Sequence, residues 1–190
     1  MRPAGPAARL VAGLPAVAIG VAVGITLSAC GIAAASGAPA TFPPENFGPS
    51  AATTGAVAAT RAALTQALGT RQLEVKDPQV PFRPPESPHL AVASRSVIQV
   101  VLPADSAHGF VSIYEFADAS AATDAGREQA AYVASGPGRV QFAPDTRFVV
   151  RQLGPTIVFY AWSPANSPDP ATPKIQEALE TVGVAIPVPS

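Results

Sequence analysis

Few side chains in this 190-residue chain have the type and spacing that chemistry needs. There is one cysteine, Cys30, and there are two histidines, His89 and His108. Neither histidine has a second ligand at metal-binding spacing, so no metal is implied. Asp105-Ser106-Ala107-His108 contains the acid, hydroxyl and base of a hydrolytic triad. All three sit in one tight turn, where the acid could hardly orient the base while the base reaches the hydroxyl, and no Gly-x-Ser-x-Gly elbow accompanies them. A polar hairpin turn is the expected reading. Glu115 and Asp118 lie close in sequence, but such a pair at a strand end reads as a rim or a helix cap before it reads as general acid and base. Gly136-Pro137-Gly138-Arg139 lacks the Gly-Lys-Ser/Thr end of a phosphate loop and closes a helix instead of opening one. Arg147 and Arg151, four apart on a strand, share a face, and with Arg139 they could form an anion-binding stripe. Arginines paired with acids across a sheet would give the same pattern.

The strongest chemical signal is at the N-terminus. Residues 1–10 carry Arg2 and Arg9 and no acid, an apolar run follows over residues 11–27, and Leu27-Ser28-Ala29-Cys30 closes it. A positive end, an apolar core and small residues before a cleavage point are the parts of a secretory signal. The four-residue close resembles the lipobox of bacterial lipoproteins. That resemblance covers residues 1–30 only. It implies cleavage between Ala29 and Cys30, a diacylglyceryl group on the Cys30 thiol, and residence on the outer side of a cell membrane. Two acyl chains would make the anchor durable, since one alone binds only marginally. An uncleaved membrane helix, or ordinary cleavage near residues 33–38, are the other readings of the segment.

Composition bounds the remainder. Twelve basic residues face 13 acidic ones, so nothing suggests a nucleic-acid partner. With its cysteine committed to lipid, the folded part has no internal disulfide and must be held by packing. Residues 30–52, rich in Ala, Gly and Pro, read as a tether, and residues 53–190 as one domain.

Apolar periodicity predicts helices over 53–68 and 172–183, with Gly69 and Gly183 as stops and Thr172 as the cap of the last, and a cap at Asp118 or Ser120 with the stop Gly136-Pro137-Gly138 predicts one over 118–135. Strands are predicted over 72–76, 96–102, 110–116, 147–153 and 156–162. The five prolines of residues 77–89 exclude helix and central strand there, making that loop the first place to seek a binding surface. Residues 184–190 are expected to be extended and to cover a sheet edge. The expected fold is α+β, an antiparallel sheet of about four to five strands with helices largely on one face. The units 96–135 and 147–183, each a hairpin plus a helix, could be pseudo-symmetric.

Functionally, these features favour a lipid-anchored envelope module that binds a protein or a small ligand, with no cofactor. An anchored hydrolase using Asp105, His108, Glu115 or Arg147 is the alternative.

Overall fold

The computed structural model describes residues 54–190. Helix α1 runs over Gly55–Thr70, with Thr54 capping it through a hydroxyl that accepts the Val57 N–H at 3.2 Å. Val57, Thr60, Leu64, Ala67 and Leu68 form its buried stripe. The helix runs through Gly69, the expected stop. The chain reverses at Gln72, φ 60°, where Leu73 N–H bonds back to the Leu68 carbonyl at 3.1 Å.

Strand β1 (Val75–Lys76) is followed by the proline-rich segment, by a short helix α2 (Pro88–Val92), and by β2 (Ser94–Val100) and β3 (Phe110–Glu115). Helix α3 (Ala119–Ala134) is capped by Asp118, whose carboxylate accepts the Ala121 N–H at 2.8 Å. A single turn α4 (Gly136–Arg139) leads to β4 (Arg147–Leu153) and β5 (Thr156–Trp162), which meet across Gly154 at φ 56°. Helix α5 (Thr172–Leu179) and β6 (Val184–Ala185) complete the chain.

The six strands form one sheet in the order β1-β2-β3-β5-β4-β6, every neighbour antiparallel. The two-residue strands β1 and β6 occupy the edges, a common way of blunting an edge against pairing with other chains. As expected, the tail after residue 183 covers the β4 edge.

The α+β class and the antiparallel sheet match the sequence reading, but the helices cover both faces of the sheet. On β5, Val158, Tyr160 and Trp162 join one core with α1 and α5, while Ile157 and Phe159 join a second core with α3. Strands that are apolar on both faces demand two coverings. The hairpin-plus-helix units are therefore not a symmetric repeat, because α3 and α5 lie on opposite faces.

The first face is closed by the stripes of α1 and α5, where Leu64, Leu68, Ile175 and Leu179 are fully buried. On the second face α3 approaches β5 very closely. A Cβ on Gly126 would press on the Cδ1 atoms of Ile157 and Ile186, so a larger residue there would require those side chains to shift. Beside it, over β2 and β3, the cover is the proline-rich segment itself.

Candidate functional site

The proline-rich segment lies strapped to the sheet. Glu86, with a side chain only 2% exposed, accepts from Arg83 Nε at 2.7 Å, from Arg95, and from the Tyr114 hydroxyl at 2.7 Å. Burial raises the Tyr114 phenol far above its ordinary range, and the Glu86 charge raises it further. Gln129, fully buried on α3, grips the same segment through its backbone: its Oε1 accepts the Ser87 N–H at 2.7 Å and its Nε2 donates to the Pro85 carbonyl at 3.1 Å. His89 pairs with Glu128 alongside. Burial pulls the Glu128 carboxyl up, but the hydrogen bonds and charge from His89 outweigh it and hold the group below its usual range. Phe82 stacks on Phe110 of β3, with ring centroids 4.4 Å apart.

The strap and the loop after α4 leave a cleft of about 250 Å³ between them. Phe82, Pro84 and Pro85 form one wall, Gln141, Phe142 and Ala143 the other, and Phe110, Phe159 and Ala161 come from the sheet beneath. His108, Ser163 and Asn166 supply polar groups. Phe142 and Phe148 meet edge to face at 4.9 Å, continuing the aromatic surface. A second space of about 380 Å³ lies between α3 and the C-terminal tail, but Arg127 is the one charged residue lining it.

The turn before β3 brings acid and base together but not the hydroxyl. His108 Nδ1 lies 2.6 Å from Asp105 Oδ1, and the Asp105 side chain is 6% exposed. The contact comes from the fold of the turn, in which His108 N–H bonds to the Asp105 carbonyl at 3.2 Å and sets one side chain against the other. Ser106 is exposed and makes no side-chain hydrogen bond with His108, so the triad is not assembled. Behind the pair, Asp105 Oδ2 and the Tyr160 hydroxyl are both buried without a partner among the described residues. Burial, and then the Asp105 charge, push the Tyr160 phenol well up.

Other candidates are engaged elsewhere. Glu115 accepts from the Thr54 hydroxyl at 2.6 Å, Asp118 caps α3, and the two do not form an acid–base pair. Arg139 donates to the Ala143 and Pro144 carbonyls and stands over the Phe148 ring at 5.6 Å. Arg147 stands over Trp162 at 5.2 Å, and Arg151 donates to the Val182 and Gly183 carbonyls at 2.8 and 2.9 Å. Phe148 and Trp162 belong to opposite cores, so the three arginines do not form one stripe.

Comparison with protein-family models, with curated proteins and with solved structures finds no match. The site therefore rests on its own geometry. Among the described residues no three His, Cys, Asp or Glu side chains converge as a metal site requires, and no helix is long and apolar enough to cross a membrane. Cys30 and the cleavage point at Ala29 lie outside the described residues.

Sequence reasoning missed two organising acids. Asp169 Oδ2 accepts the Ala104 N–H at 2.9 Å and Oδ1 the Ala171 N–H at 2.8 Å, joining the turn that carries His108 to the start of α5. Thr172, expected as the cap there, lies inside the helix, and its own N–H bonds to the Asp169 carbonyl at 3.1 Å. Asp145 accepts from the Ser163 hydroxyl at 2.6 Å and from Ala165 N–H at 2.8 Å, and these bonds hold its carboxyl below the usual range. An Asp three residues before Thr172, the expected cap, was the available signal for Asp169.

Proposed function

We propose that the chain is a lipid-anchored protein of the cell envelope whose domain binds a small, mainly apolar ligand. The aromatic cleft between strap and α4 loop carries the ligand-binding part of this reading. Its walls come from separate segments held in place by Glu86, Gln129 and Asp145, which is the pre-organisation a binding site needs. The anchor rests on Leu27-Ser28-Ala29-Cys30.

Intact-mass analysis of the protein purified gently from envelopes tests both parts. The expected result is a diacyl mass on Cys30 together with a co-purifying small molecule. Lipid without a ligand, repeated with different mild detergents, would count against the cleft and for a protein partner. Cys30→Ala should leave an unprocessed precursor, whereas a mature chain still beginning at residue 30 and still membrane-bound would overturn the anchor.

The Asp105–His108 pair favours one alternative, an anchored hydrolase with His108 as general base. Turnover of p-nitrophenyl esters that disappears in His108→Ala would establish it. Binding without turnover is the outcome expected here.

A further inference from the structure

His108 is the one histidine lining the cleft, and only one of its ring nitrogens is engaged. Asp105 holds Nδ1, and Nε2 has no hydrogen-bond partner among the described residues. A carboxylate on Nδ1 fixes the ring proton there, so the neutral imidazole presents Nε2 as an acceptor. The supporting turn is rigidly tied. Asp105 N–H bonds to the Leu102 carbonyl at 3.1 Å, Gln99 Nε2 donates to the Ser106 carbonyl at 3.0 Å, and Asp169 holds Ala104. The Asp105 carboxylate is itself more than nine-tenths buried, which keeps water from competing for Nδ1.

Size and lining restrict what meets that acceptor. An apolar cavity of about 150 Å³ holds a benzene ring, so about 250 Å³ suits roughly two fused rings. Phe82, Phe110 and Phe142 offer faces and edges for a flat apolar body, and Arg83 is already bound to Glu86 and to the Ala91 carbonyl.

We propose that the cleft takes a compact, flat, apolar ring system bearing one hydroxyl, and that His108 Nε2 accepts the hydrogen bond of that hydroxyl. This rests on reading the cleft as a ligand site and adds the chemistry that selects the ligand.

The test is titration calorimetry of the full chain with 2-naphthol, 2-methoxynaphthalene and naphthalene. The expected result is 2-naphthol binding about tenfold more tightly than its methyl ether, the worth of one ordinary hydrogen bond. His108→Leu, at a half-exposed position, should keep the fold and abolish the preference. Asp105→Asn should remove or reverse it, because an amide donating to Nδ1 moves the ring proton to Nε2. Equal affinity for naphthol and its ether in the unaltered protein overturns the role of His108 and leaves the cleft reading standing. A preference that survives in His108→Leu does the same. No binding of any of the three overturns the cleft reading along with it.

Discussion

The two faces of the sheet are covered in different ways. On the first, α1 and α5 lay apolar stripes onto Ile98, Val100, Val111 and Val158, and apolar packing dominates the join. On the second, α3 covers only part of the width, and a non-helical segment is held down over the remainder by a buried carboxylate, a buried amide and a stacked ring. Burial of smooth apolar surface has no preferred direction, whereas hydrogen bonds and ion pairs fix a geometry. The first face is suited to stability, and the second to holding a cleft open in one shape.

The largest expected effect comes from breaking the strap. Glu86→Ala leaves Arg95 and the buried Tyr114 hydroxyl without their carboxylate, and removing one member of a buried charged cluster costs about 3–5 kcal/mol. Hydrogen exchange at the Ser87 amide should then speed up by about two to three orders of magnitude. Exchange in α1 should be unchanged. Equal acceleration in α1 would show that both faces open as one unit and would break the comparison.

Leu64→Ala probes the other face and should lower global stability by about 2–5 kcal/mol in denaturant unfolding, while leaving ligand affinity in the cleft intact. Gln129→Leu is expected to cost about 1–3 kcal/mol through the unpaired Ser87 N–H and Pro85 carbonyl, again read at the strap by hydrogen exchange.

Alkaline pH tests both faces in one experiment. Tyr114 and Tyr160, one under each cover, have folded-state phenol pKa values raised above the unfolded value of about 10. Their contribution to stability is fully present below about pH 10 and is lost as pH rises beyond it, because the unfolded chain releases the protons first. The melting temperature should fall above that pH, and Tyr114→Phe should reduce the fall. The exposed pair Arg61–Asp77 gives the smallest effect, with Asp77→Ala expected to change stability by less than about 1 kcal/mol.

Much of the first face could be read from the sequence. Val57, Leu64 and Leu68 on α1 and Ile175, Ala178 and Leu179 on α5 recur at helical spacing, and Gly154-Pro155 marks the turn between β4 and β5. The second face could be read only in part. Ile157 and Phe159, apolar on the far side of β5, signalled that it must be covered, but the cover has no periodicity of its own. Glu86 meets Tyr114 28 residues away and Gln129 meets Ser87 42 residues away, and such pairings leave no local pattern. Asp105 and His108 were visible as types; their contact depends on turn geometry that spacing alone did not decide. The cleft draws on segments scattered from residue 82 to residue 166, so no single stretch announces it.

The pairing of α1 with α5 also governs how the polypeptide acquires its shape as it is made. Arg71 and Glu177, which join them at 2.6 Å, are 106 positions apart. A chain emerging from its N-terminus would carry the Val57, Leu64 and Leu68 stripe without its α5 partner until residues 172–179 had appeared. The strap and α3, whose Ser87 and Gln129 are 42 positions apart, could dock earlier. Late closure of a long-range contact is a slow step and leaves an adhesive surface open meanwhile. A nascent chain arrested before residue 172 should therefore be the form that engages chaperones.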